Sequence, residues 1–474
     1  MIFNSVVFLI GFLPIFMVCY YLAPVRARVA VLFVGSLFFY AFGEPFYVLF
    51  LMFSMVFNYL LGKGMSPNSK LHVGTKRFLF LLSMVINIAI LVLFKWQPEG
   101  LDLPLGISFF TFQILSYLID LYQGRIEKEP DFVKLCTYIC MFPQLVAGPI
   151  VLYEEIEDSL YHPRVTKEGL QQGILDFIHG LVLKVLFADR LSLLWNELST
   201  MGYMSMTTSV AWIGAISYSL QIYFDFYGYS RMAIGLGKML GFALPENFHV
   251  PYASKSIREF YRRWHMTLNR WFIRYVYIPL GGNRKGLVRS ILNLAVVWFL
   301  TSIWHGMGLH FLLWGLILFG MIVIEKCVRA WNENRSFIAM AKSTKSVIEQ
   351  KNQKKNRTIE VFLEIFQHIY VLVVIAISWI CFAIEKMDQL VIYLSRMFCL
   401  SKSTGLGDFF LSRLLSKYGI YLGIGILLAT PFAEKWIEKG KNTWFGKIVA
   451  VVLLWLCVDA ILKMGNNPFL YFRF

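Results

Sequence analysis

Apolar runs of about twenty residues recur along the whole chain, and they limit its fold more than any other feature. Ser5 to Leu22, Phe78 to Phe94, Ile174 to Leu194, Val361 to Ala383 and Phe445 to Leu462 hold few charges. A helix of that length rises about 30 Å, the depth of a bilayer's hydrocarbon core, and satisfies its own backbone hydrogen bonds there. A membrane-spanning strand would need only about ten residues of alternating polarity, which these runs lack. The pattern predicts an all-α, polytopic transmembrane helical bundle and disfavours an outer-membrane barrel.

Shorter runs add to the count. Val29 to Phe42 and Phe46 to Leu61 flank a Gly43-Glu44-Pro45 break, and Pro104 to Tyr122, Val210 to Phe226 and Tyr418 to Pro431 follow. The expected total is about eleven spans or partial spans in one domain, 1-474, with a core at 104-310 and C-terminal helices at 361-474. Ser5 to Leu22 has no basic segment before it and no small-residue cleavage site, so it reads as a retained span.

Among 474 residues, 45 Lys and Arg face 29 Asp and Glu, a formal charge of +16. Such a balance can signal nucleic acid, but 58% of the residues are hydrophobic and the cations sit in loops between apolar runs. Cytoplasmic loops and anionic lipid headgroups explain them without nucleic acid. Lys63, Lys70, Lys76 and Arg77 place one loop in the cytoplasm; Lys255 to Arg289, with nine Lys or Arg against Glu259, places another. A basic linker at about 325-359 gives a third. The seven cysteines are scattered through apolar segments and read as small core residues. Cys136 and Cys140 share a helix face, a spacing that would suit a metal or an acyl thioester, but no His or carboxylate partner completes the set. No metal site is expected.

Chemistry concentrates between Ser254 and Leu309. Phe260, Trp264, Leu268, Trp271 and Tyr275 recur at helical spacing, with Arg258, Arg262, Arg270 and Arg274 mostly on other faces. This predicts one helix lying at a membrane interface. From Arg289 to His305 the chain rises about 24 Å if helical, which places His305 inside the bilayer. A titratable ring there either hydrogen-bonds a neighbouring helix or serves a function facing protein or water. Gly306 and Gly308 favour function, because they let the backbone break and another group approach. If Lys255–Arg289 and the 325-359 linker share one side, the intervening segment enters and returns, with Trp304 to Gly308 near the bend. One long span broken at Gly306 is the alternative.

Other polar residues sit within apolar helices. Gln113, Ser116 and Asp120 suggest a face turned from lipid. Pro143, Gly148 and Pro149 require a bent or re-entrant piece from Phe142 to Ile150. The charged stretch Tyr153 to Lys167 suits the headgroup region. Asp225 either orients a histidine or fixes helix packing, and packing is favoured. Gly228, Gly235, Gly237 and Gly241 make a helix face suited to close contact.

These residues resemble the membrane-bound O-acyltransferase family, most closely its bacterial alginate O-acetylase-like branch. The matching pieces fall in family order: PLGISFFTFQILSYLIDLY (Pro104 to Tyr122), FPQLVAGPI (Phe142 to Ile150), YFDFYGYSRMAIGLGKMLGF (Tyr223 to Phe242), NFHVPYASKSIREFYRRWHMTLNRWF (Asn247 to Phe272), YIPLGGNRKG (Tyr277 to Gly286), WHG (Trp304 to Gly306) and NPFLYFRF (Asn467 to Phe474). The resemblance implies re-entrant and interfacial helices around a central channel, with His305 as catalytic base and His265 orienting or polarising the acyl carbonyl at a position the family fills with Asn or His. It implies a cytoplasmic thioester donor, acetyl-CoA, whose phosphates would suit Arg262, Arg263, Arg270 and Lys285. Only the acyl group crosses, toward O-acetylation of an exported polysaccharide helped by an extracytoplasmic SGNH-type partner. Tyr471, in an FxYxxF-like ending, becomes a candidate acyl relay; from physics alone an aromatic-rich terminus is more often an interfacial anchor. A D-alanyl-transfer branch acting on teichoic acid, and a transporter or channel without a covalent step, are the alternatives.

Overall fold

The computed structural model describes residues 1–96, 102–127, 130–342, 357–400 and 408–464, with the side chains of 333–342, 357–359, 408–409 and 464 left aside. In chain order the helices are α1 Leu13–Leu22, entered through a π-helical turn at Val7–Phe12, α2 Arg28–Gly43, α3 Tyr47–Met65, α4 Val73–Trp96, α5 Ile107–Tyr122, α6 Phe132–Cys140, α7 Tyr153–Tyr161, α8 Lys167–Val182, α9 Asp189–Met201 and α10 Thr208–Leu240. There follow α11 Ile257–Arg263, α12 Met266–Phe272, α13 Gly286–His305, α14 Leu309–Lys342, α15 Arg357–Ala383, α16 Met387–Met397, α17 Asp408–Leu428, α18 Pro431–Gly440 and α19 Trp444–Met464. Among the described residues, 8 helices are long and apolar enough to cross a bilayer, and the Val7–Leu22 and Ile107–Tyr122 helices are shorter and apolar. Their outward faces stay apolar, as Val34, Phe38 and Phe42 on α2 and Leu81, Val85 and Ile88 on α4 show. So much exposed apolar surface is matched by hydrocarbon and not by water. The protein is a multi-pass helical membrane protein.

The chain divides into two compact units with interleaved segments. One comprises Met1–Leu193, Gln221–Asn247 and Lys435–Phe474; the other comprises Leu194–Leu220 and Phe248–Glu434.

In the first unit α5 is wrapped on nearly every face, and Gln113, Ser116 and Asp120 are all buried. Asp120 meets Arg125 at 2.6 Å, which keeps its charge from lying unpaired. The Phe142 to Ile150 piece is a four-residue helix, Phe142–Leu145, followed by irregular buried backbone, as its two prolines require. Helices α8 and α10 touch through backbone: a Cβ on Gly235 would stand 2.5 Å from the Gly173 carbonyl oxygen, and one on Gly228 would stand 2.7 Å from that of Gly180. Any larger residue would force the two helices apart.

One sequence expectation is corrected along the way. The Val210 to Phe226 span and the glycine-punctuated segment after it are one 33-residue helix, α10. Within the 325-359 linker, α14 runs on to Lys342 and α15 begins at Arg357. Polar composition marks where a helix leaves hydrocarbon, not where it ends.

In the second unit α13 and α14 form an antiparallel hairpin. Trp298 meets Trp314 with ring centroids 5.7 Å apart, and nearer the open end Lys326 Nζ donates to Ser290 Oγ and, at 3.0 Å, to Asn283 Oδ1. Close contact is possible because residue 315 is glycine; a Cβ there would lie 1.9 Å from Ser302 Oγ. The chain therefore enters and returns, which decides between the two topologies open from sequence. The single interfacial helix expected from Phe260 to Tyr275 is instead α11 and α12 separated by a break. Its aromatic stripe faces the protein: Phe260, Trp264, Leu268 and Trp271 are buried.

Candidate functional site

The second unit holds both histidines, and their positions follow from helix ends. Ser256 caps α11, its hydroxyl accepting from the Glu259 N–H at 3.0 Å. Glu325 of α14 supplies a second cap, accepting from the Ile257 N–H at 2.6 Å and the Arg258 N–H at 3.1 Å, while Tyr370 of α15 donates to the same carboxylate at 3.2 Å. A carboxylate there offsets the positive end of the helix dipole and straps α11 to two spanning helices. The helix stops at Arg263, and His265 adopts φ 43° and ψ 53°, the left-handed region. Few residues with a Cβ tolerate that region, and histidine is among those enriched in it. The Asn269 side chain ties the break together by donating to the Tyr261 carbonyl at 3.1 Å.

The imidazole of His265 is 3% exposed and lies 6.0 Å from the Trp304 ring, centroid to centroid. Burial pushes its pKa down to about 3, so the ring is neutral near pH 7. The ring of His305 meets the same indole at 4.6 Å. Trp304 thus contacts both imidazoles.

His305 is the last residue of α13, where the helix ends in extended backbone at Gly306. It is 5% exposed. Trp314 of α14 and Phe382 of α15 meet its ring nearly at right angles, each at 5.0 Å, and Phe311 lies 6.2 Å away. Three helices therefore build an aromatic cage around one imidazole. Edge-to-face contacts of this kind exclude water and hold the ring's orientation, and aromatic faces also accommodate the positive charge an imidazole gains on taking a proton.

The basic candidates divide. Arg262 and Lys285 are exposed and Arg270 is half-buried. Arg263 is already engaged, its Nη2 2.7 Å and its Nε 3.0 Å from Glu259 Oε1. Asp225 belongs to the first unit, where its carboxylate pairs with Lys184 at 2.6 Å. That is the packing role favoured from sequence. Cys136 and Cys140 are fully buried in the first unit, which closes them to a donor. Tyr471 lies outside the described residues.

Sequence reading missed the other walls of the cage. Trp314 and Phe382 sit in apolar runs with no motif to mark them, and Glu325 reads as part of a basic linker. His310 carried a signal that was passed over: a second histidine five residues beyond His305, and buried.

The sequence profile of MBOAT, the membrane-bound O-acyltransferase family, matches residues 35–349. A probable alginate O-acetylase of Pseudomonas aeruginosa is 37% identical over 335 residues, covering 66% of this chain and 64% of that protein. The peptidoglycan O-acetyltransferase of Helicobacter pylori is 33% identical over 371 residues, covering 67% and 69%. A teichoic acid D-alanyltransferase of Bacillus subtilis is 26% identical over 253 residues, covering 51% and 63%. The chain thus spans roughly two thirds of the length of the curated relatives it matches.

Proposed function

Since this chain belongs to the membrane-bound O-acyltransferase family, we propose that it moves an acetyl group from cytoplasmic acetyl-CoA across the bacterial cytoplasmic membrane for O-acetylation of an exported cell-surface polysaccharide. The observation that carries this reading is the pair of buried imidazoles, His265 and His305, held against one indole in an aromatic surround. Similarity to an alginate O-acetylase and a peptidoglycan O-acetyltransferase supports acetyl as the acyl group and polysaccharide as the destination.

The chemistry runs as follows. A ring nitrogen of His305 takes the proton of the acceptor hydroxyl, whose oxygen bonds the thioester carbon. The tetrahedral intermediate collapses as the C–S bond breaks, and the thiolate takes the proton from the imidazolium, leaving an ester and free thiol. Neutral His265 polarises the acyl carbonyl by donating a hydrogen bond. Exposed Arg262 and Lys285, with Arg270, attract the donor's phosphates, and the positive-inside effect orients such basic segments to the cytoplasm. Tyr471 relays the acyl group to an extracytoplasmic SGNH-type partner.

A second reading is D-alanyl transfer from a carrier protein, favoured by the similarity to the D-alanyltransferase but at lower identity. His305→Ala tests the first. Ester on the exported polysaccharide should vanish while the protein still inserts at wild-type level; full ester content, or loss of the folded protein, counts against a catalytic base. Purified protein loaded with acetyl-CoA or with a D-alanyl carrier, followed by mass spectrometry of the Tyr471 peptide, separates the two donors.

A further inference from the structure

The mechanism above leaves one buried imidazole at the site without a role. His310 lies in the first turn of α14 and is 7% exposed. Its ring centroid is 3.9 Å from that of Phe311, which in turn stands 5.0 Å from Phe382 and 6.2 Å from His305. The imidazole folds back over the turn that joins the two legs of the hairpin. A Cβ on Gly308 would come within 2.4 Å of its Cε1 and 2.6 Å of its Nδ1, so glycine is what allows the ring to lie there.

Among the described residues, Nδ1 of His310 has no hydrogen-bond partner. A polar nitrogen buried without a partner is a cost that folding alone leaves in place and a ligand can remove. The same turn offers more polarity, because the first N–H groups of a helix have no intrahelical acceptor and carry the positive end of its dipole. These groups sit at the closed end of the hairpin, the end away from Lys326, Arg284, Lys285 and Arg289. A donor arriving at the basic end and an acceptor arriving at the closed end would reach His305 from opposite directions.

We propose that His310 and the Gly306–Leu309 turn bind the hydroxyl-bearing acceptor of the acyl group. This rests on the acyltransferase reading with His305 as base. His310 takes no proton in the cycle. It is a positioning residue: the ring holds the acceptor by one hydrogen bond while the acceptor's reacting O–H gives its proton to His305.

The test compares His310→Phe, which keeps a ring and removes the nitrogens, with His310→Gln, which keeps a donor and an acceptor. Acetyl ester on the exported polysaccharide is measured by hydroxylamine assay at equal levels of inserted protein and after checking the melting temperature. Loss of one productive hydrogen bond corresponds to roughly two- to tenfold, so His310→Phe should lower ester by more than about twofold, and His310→Gln should stay within about twofold of the unaltered protein. Ester within about twofold for His310→Phe, or an equal loss in both variants, overturns the proposal. If His310→Phe does not insert, retention by His310→Gln and loss by His310→Leu decide in the same way. His305→Ala runs alongside: ester surviving in that variant sinks the acyltransferase reading itself, whereas its loss with full activity in His310→Phe sinks only the acceptor site.

Discussion

Lys184 and Asp225 meet at 2.6 Å with side chains 3% and 4% exposed, and the same ammonium reaches Asp189 at 2.8 Å. Lys184 belongs to a π-helical turn, Leu183–Ala188, and Asp225 lies on α10. The pair therefore pins α10 to the segment joining α8 and α9 beside the Gly180–Gly228 backbone contact. Lys184→Met takes the cation from two buried carboxylates and should destabilise by about 3–5 kcal/mol, whereas Asp225→Leu leaves Lys184 paired with Asp189 and should cost less. The double variant should recover part of the Lys184→Met loss, because one of the two carboxylates that faced the ammonium is gone while Asp189 stays. Thermal unfolding in detergent, read as a double-mutant cycle, checks this. Additive losses would mean that the two charges are not coupled.

At His265 the backbone and the ring can be separated by substitution. The left-handed conformation costs a residue bearing Cβ roughly 1–2 kcal/mol, less for Asn and nothing for Gly. His265→Asn and His265→Gly should therefore keep the break, and His265→Val should unfold at a measurably lower temperature than either. If the ring polarises the carbonyl, His265→Gly loses transfer while remaining folded, and His265→Asn retains part of it through its amide N–H.

The hairpin gives a third outcome. Gly315→Ala places a methyl where Ser302 Oγ stands, 1.9 Å away, and should destabilise the protein by about 1–3 kcal/mol as an overpacked contact. Ser302→Ala in the same chain removes that oxygen and should return most of the loss. Melting temperatures of the two single variants and the double variant decide it.

Acid should weaken the entry to the His265 break. Burial alone would raise the Glu259 pKa, but the Lys255 N–H, at 2.9 Å, and the Arg263 guanidinium outweigh it and hold the carboxyl below its ordinary value. A depressed carboxyl contributes stability that is fully present above its unfolded pKa of about 4.3 and is lost as pH falls through the lower folded value. The pair is partly exposed, so the effect is about 0.2–1 kcal/mol. Glu259→Gln should lower the melting temperature slightly at pH 7, and the difference should close below about pH 4. A gap independent of pH would assign the loss to the backbone cap and not to charge.

Much of the site was legible before folding. WHG and the glycines after it marked His305 as a residue at a break, because Gly306 cannot be read as ordinary helix interior in an apolar span. The break at His265 was not legible. Phe260, Trp264, Leu268 and Trp271 keep helical spacing straight through it, since one residue in the left-handed region redirects the chain without disturbing the order of apolar side chains. Asp225 illustrates a different limit: sequence shows a carboxylate in a span, while its partner Lys184 is distant along the chain.

The sequence by itself determined that this chain is a bundle of membrane helices. The length of an apolar run is matched against a fixed hydrocarbon thickness, and a backbone in lipid must bond to itself. It also singled out His265 and His305, the two histidines that the structure buries against one indole. Tertiary structure alone decided that Trp314 and Phe382 close on His305, that Glu325 seats the helix leading to His265, and that the α13–α14 segment turns back on itself. Helices already satisfied along their own length gain from neighbours only through side-chain shape, and shape complementarity between distant segments leaves no periodic trace in the order of residues.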